Sequence, residues 1–120
     1  MTKTPLPLEM IVGKQLSSVE FVRDYVQLRF DGPTLTAFVL PTLKSPDRTI
    51  RFGDQGYRDE LCARISHHVS AAYLREGDAV IVEFDDGTEI RISLKPEDRV
   101  GPEAGHFTAS ADPHSPLLDF

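Results

Sequence analysis

Only one cysteine, Cys62, is present among the 120 residues, so no disulfide can close within the chain and folding does not rely on an oxidising compartment. Long apolar runs are missing too. Nothing approaches the roughly 18 consecutive apolar residues of a membrane-spanning helix. The opening Met-Thr-Lys-Thr-Pro-Leu-Pro stretch lacks the apolar segment of a signal peptide, and a cytoplasmic protein is expected. Basic residues are outnumbered, 13 against 19 acidic ones, for a net charge of -6, and they are interleaved rather than grouped. A phosphate-neutralising face for duplex nucleic acid is therefore not expected, and neither is a membrane partner. The sequence also lacks a glycine-rich phosphate loop, a Gly-x-Ser-x-Gly elbow, a Ser-His-Asp order and a calcium-loop pattern. Accordingly no catalytic, cofactor-binding or metal-ligating residue is expected, and a binding protein is favoured over an enzyme.

The residues that are present describe one folded domain. The content of 40% apolar and 27% charged residues is that of an ordinary globular protein. Residues 1–10 carry Pro5 and Pro7 and no periodic pattern, which predicts a flexible leader before a single domain over 11–96. Val19 and Phe21, then Val26, Leu28 and Phe30, alternate with Glu20, Gln27 and Arg29 at the two-residue period of a half-buried strand. Asp31-Gly32-Pro33 supplies a turn into a strand over 34–40, and a polar loop containing Lys44, Ser45, Pro46 and Asp47 precedes a brief strand at Ile50 and Phe52. A second strand group covers 69–74, 79–84 and 90–94, with Asp85-Asp86-Gly87-Thr88 as a hairpin connection. Four of the nine prolines fall in 97–120 or just before it, at 96, 102, 113 and 116, which predicts an extended tail with at most one short helical turn near Glu103 to Phe107.

Between the two strand groups the period changes. Tyr57, Leu61, Cys62 and Ile65 recur at helical spacing, with Arg58, Asp59, Glu60 and Arg64 toward water, and Asp54 is placed to cap the helix. Cys62 then reads as a small buried hydrophobe. His67 and His68 fall at the helix end, where the dipole and the last carbonyls favour histidine. Adjacent imidazoles diverge, and no ligand-spaced Cys, Asp or third His lies nearby in sequence, so they read as structural.

The two strand groups form an internal near-repeat. Residues 19–23 match 71–75, residues 24–31 match 78–85, and residues 32–41 match 87–96, with Glu76-Gly77 and Asp86 as the inserted residues, both at turns. The predicted fold is α+β: two antiparallel three-stranded β-meanders, a candidate internal duplication, with one central α-helix packed on the sheet.

Polar candidates are few. Asp85, Asp86 and Glu89 gather about the second hairpin, where turn chemistry already accounts for Asp, and they form a candidate partner-binding surface. Glu103 follows Gly101-Pro102 and stands beside the apolar Ala104 and Phe107. With Arg51 it is the candidate for a polar small-ligand site between the sheet and the Glu103 segment. Leu117, Leu118 and Phe120 are more apolar than a free tail requires, which predicts docking on the sheet or against a second chain, a homodimer among the options.

The run Val82-Glu83-Phe84-Asp85-Asp86-Gly87-Thr88-Glu89-Ile90-Arg91-Ile92, followed by Gly101-Pro102-Glu103-Ala104, resembles a group of small bacterial proteins of unassigned function, relatives of which are immunity proteins of polymorphic toxin systems. The resemblance spans about a third of the chain directly and implies an α+β fold with no catalytic residue to carry over. The leading expectation is therefore a non-enzymatic, immunity-like protein-binding module that presents a sheet face, hairpin tips or its tail to a partner protein. The alternative is a small-ligand module or enzyme built around Arg51 and Glu103.

Overall fold

A computed structural model of the chain describes residues 2–3, 6–109 and 116–120. In chain order the elements are β1 (Thr2–Lys3), α1 (Leu6–Glu9), β2 (Ser18–Val22), β3 (Tyr25–Arg29), β4 (Thr34–Ala37), β5 (Thr42–Lys44), β6 (Thr49–Ile50) and α2 (Tyr57–Cys62). They continue with β7 (Val69–Arg75), β8 (Ala79–Phe84), β9 (Glu89–Ser93), a 3-10 turn (Pro96–Asp98), β10 (Gly105–Thr108) and β11 (Pro116–Asp119). The strands form a six-stranded sheet in the order β1-β7-β8-β9-β5-β6 and a five-stranded sheet in the order β11-β10-β4-β3-β2. Every pairing in both sheets is antiparallel.

Strand alternation sets which face goes inward. Val26 and Leu28 of β3 and Ile90 and Ile92 of β9 are buried, while their odd-numbered neighbours stay half-exposed. These inward residues join Leu35, Ala37, Leu43, Val80, Val82 and Phe107 in one apolar core fed by both sheets. β8 lies between β7 and β9 and is buried on both sides. Its Ile81 is fully buried outside that core, flanked in register by Tyr73 and Arg91 on the outer face.

The protein is thus a mostly antiparallel β-sheet structure with short helices, but it is not a pair of complete three-stranded meanders under a central helix. β2-β3-β4 and β7-β8-β9 do pair consecutively, yet each run is extended by strands from distant parts of the chain. α2 has only six residues, too few to cover a sheet. Lys44, expected in a loop, lies in β5 opposite Glu89. The stripe that α2 and the turn after it bury is Tyr57, Leu61 and Arg64, and Cys62 is exposed. Arg64 takes the inward position because its guanidinium finds partners on the β8–β9 hairpin, which lies more than twenty residues away in sequence.

Both ends of the chain belong to the sheets. In the expected leader, Thr2 and Lys3 pair with Arg75 and Leu74, and Leu8 is fully buried. In the expected tail, residues 105–108 form a strand where a helical turn was predicted, β10 lies between β4 and β11, and the helical turn falls earlier, at Pro96–Asp98. β10 carries no legible period because it is four residues long and follows Gly101-Pro102, which has loop composition. Gly105 is needed where β10 meets β4: a Cβ there would lie 2.3 Å from the Thr36 carbonyl oxygen and 2.7 Å from the Phe120 ring. Leu118 and Phe120 pack against the protein's own core, and Leu117 is 48% exposed. Among the described residues no helix is long and apolar enough to cross a membrane.

Two measurements check these placements. Phe107→Ala should lower stability in urea titration by about 3–5 kcal/mol, the usual cost of emptying a phenylalanine site in a core. A free tail would show no change. A thiol reagent should label Cys62 in the native protein at a rate close to that in denaturant, which follows from exposure alone.

Candidate functional site

The densest polar cluster lies where the end of α2 meets the β8–β9 hairpin. Tyr57 anchors the helix by donating its buried hydroxyl to the Pro41 carbonyl, and burial pushes its pKa well above the ordinary tyrosine value. Leu61 fills the core one turn on. This brings Arg64, only 8% exposed, under the hairpin tip. The hairpin loop is Asp85-Asp86-Gly87, and Gly87 adopts φ +86°, the left-handed conformation that closes a three-residue loop.

Asp86 is the hub of this cluster. Arg64 Nη1 donates to Asp86 Oδ2 at 2.5 Å and to Thr88 Oγ1 at 2.8 Å. The Thr88 hydroxyl and amide donate to Asp86 Oδ1 at 2.6 and 3.0 Å. Glu60 approaches Arg64 at 4.0 Å and also accepts from Arg48 at 3.1 Å. Partial burial pushes the Asp86 carboxyl upward, but the Thr88 hydrogen bonds and the Arg64 charge outweigh it and hold the pKa below the usual carboxylate value. Arg64 Nε is buried without a hydrogen bond, which leaves Asp86 and Thr88 as the principal compensation for this guanidinium.

Asp85 points outward beside it. His67 Nδ1 lies 2.8 Å from Asp85 Oδ1, and His67 Nε2 lies 3.8 Å from Asp86 Oδ2. The His68 amide donates to Asp85 Oδ2 at 3.2 Å, and the Asp85 amide donates to the His68 carbonyl at 2.9 Å. The hydrogen bond to His67, followed by the His68 amide, lowers the Asp85 pKa. Near neutral pH both carboxylates are therefore ionised, and each is fixed in direction by at least two partners.

The other expected site residues are distributed differently. Glu89 accepts from Arg91 Nη2 at 3.3 Å and lines a recess with Tyr73, Arg75, Glu83 and the hairpin residues Gly87 and Thr88. Burial and a hydrogen bond to Glu83 push the Tyr73 phenol there up to about 12. Arg51 lines a second recess with Lys44, Arg91 and Lys95. Glu103 lines a third, with Phe38, Val100, Gly101 and Pro102. Arg51 and Glu103 thus do not converge on one recess.

Sequence spacing placed no carboxylate near His67, yet the fold brings Asp85 and Asp86 to it, and it also brings His106 and Asp119 to Glu103. The signal available beforehand was the acidic hairpin, without its register to the helix end.

Acid should dissolve the hairpin cluster. Because the folded pKa values of Asp85 and Asp86 are depressed, their stabilisation is complete above the unfolded carboxylate value of about 4 and is lost as pH falls through the lower folded value. Asp86→Ala should therefore cost about 1–3 kcal/mol at pH 7 by leaving the Arg64 donors unsatisfied. The gap to wild type should narrow in acid denaturation, and a gap that is constant with pH would contradict the assignment. Comparison of the chain with family models, curated proteins and solved structures finds no match.

Proposed function

We propose that the chain is a non-enzymatic protein-binding module of immunity-like type, whose β8–β9 hairpin tip docks on a basic patch of a partner protein. The observation that carries this reading is the construction of the tip: two ionised carboxylates, Asp85 half-exposed and Asp86 beside it, oriented before any partner arrives by Arg64, Thr88, the His67 imidazole and the His68 amide. An interface of this kind gains mainly in association rate and selectivity, because pre-oriented charges steer the encounter and lose little freedom on docking. The net charge of -6 acts in the same direction.

An internal duplication supports the reading of a repeated β scaffold with the tip at its second copy. β2-β3-β4 and β7-β8-β9 are each three consecutive antiparallel strands at the positions where the sequence register pairs them. The second functional reading, a small-ligand module, is supported by the apolar recess of about 260 Å³ that has Glu103 at its margin.

Affinity capture from lysate at low and moderate salt, followed by association kinetics with the retained protein, tests the leading reading. Asp85→Lys should slow association by roughly tenfold at low salt and flatten its salt dependence, while Glu89→Lys, at a less exposed carboxylate already paired with Arg91, should change both by less. Equal effects of the two substitutions, or none from Asp85→Lys, would remove the hairpin tip from the interface.

A further inference from the structure

We propose that Glu103, His106 and Asp119 bind a divalent first-row transition cation. None of these three side chains belongs to the hairpin tip, and strand pairing rather than sequence spacing brings them together. Glu103 lies just before β10 and His106 lies within it, while β11 returns antiparallel so that Asp119 stands directly opposite His106 in register. The cross-strand pair fixes two of the ligands on a hydrogen-bonded ladder, and Glu103 enters from the segment that leads into that ladder. Each residue offers one ligand atom, a carboxylate oxygen or an imidazole nitrogen, and these atoms all lie within 4.8 Å of one another.

What separates this trio from an ordinary ion-pair cluster is that its members do not use one another. His106 Nε2 is buried and has no hydrogen-bond partner. Among the described residues neither carboxylate forms an ion pair with the imidazole, although all three sit just beyond that range. A cation held between the two carboxylates would relieve the repulsion of their like charges. An orphaned buried nitrogen also costs stability unless something coordinates it. At the hairpin tip, by contrast, His67 is already paired with Asp85, and Asp86 with Arg64 and Thr88, so a cation there would have to displace a guanidinium.

The donor set narrows the occupant. One imidazole with two carboxylates suits Zn²⁺, Mn²⁺ or Fe²⁺ better than Mg²⁺ or Ca²⁺, which prefer all-oxygen shells. Three protein ligands leave positions open for water or an added ligand, as in sites where a metal binds a small molecule. The imidazole is held for the task by Phe38, whose ring meets it edge-on at 5.4 Å between centroids. Phe38 also lines the apolar recess that has Glu103 at its margin, so an open coordination position would lie close to a cavity of about 260 Å³.

Co²⁺ reads the site directly, since its visible absorption reports coordination number and ligand type. Titrating untagged full-length protein with Co²⁺ alone should give one saturable d–d band at one equivalent, displaced by Zn²⁺. His106→Gln and the double variant Glu103→Gln with Asp119→Asn should each weaken binding beyond the roughly 10–100-fold that loss of an outer-shell partner costs. His67→Gln should leave it unchanged. Both ligand variants preserve side-chain size, and urea titration confirms that they fold. No band in the wild type, a band that survives His106→Gln, or a band lost in His67→Gln would each overturn the proposal.

Discussion

Closing two sheets over one apolar core is the constraint on which the rest of this protein depends. β10 is the strand that completes it. It adds Phe107 to the core, pairs with β4 on one side and offers its other edge to β11. With no disulfide available, this burial and the backbone ladders must hold the fold, and the area that Phe107 and its neighbours remove from water is the dominant favourable term. Each polar arrangement of interest sits where a strand or loop is carried past that core by its pairing partners.

The hairpin tip shows how a charged cluster can be stabilised by satisfaction rather than by charge attraction alone. A nearly buried guanidinium is costly unless its donors are taken up, and Asp86 and Thr88 take up those of Arg64 from a hairpin more than twenty residues away. The same bonds depress the Asp86 pKa, lock the loop to the helix end and leave Asp85 projecting beside them. Rigidity of the tip and ionisation of its carboxylates therefore have one cause. A protein-binding role uses both properties, because fixed charges lose little on docking.

Glu103, His106 and Asp119 form the opposite kind of cluster, close together with the buried His106 Nε2 left without a partner. A folded chain usually pairs such groups, as it does at His67 and Asp85. The two clusters differ in that one contains its own cation, Arg64, and the other contains none. This contrast gives a physical reason for assigning a protein contact to the first and a metal ion to the second.

Local pattern in the sequence was enough for the strands β2, β3, β4, β7, β8 and β9, for the Asp85-Asp86-Gly87 hairpin and for a helix beginning at Tyr57, because two-residue alternation, turn chemistry and helical spacing are properties of neighbouring residues. Sheet membership, the inward turn of Arg64, the exposure of Cys62 and the strand formed by 105–108 were decided only in three dimensions. Each depends on pairing between segments far apart in the chain, and short strands such as β5 and β10 carry too few residues to show a period of their own. The approach of Asp85 to His67 and of Asp119 to His106 belongs to the same class, since strand register and loop length, not residue spacing, determine which ligating atoms meet.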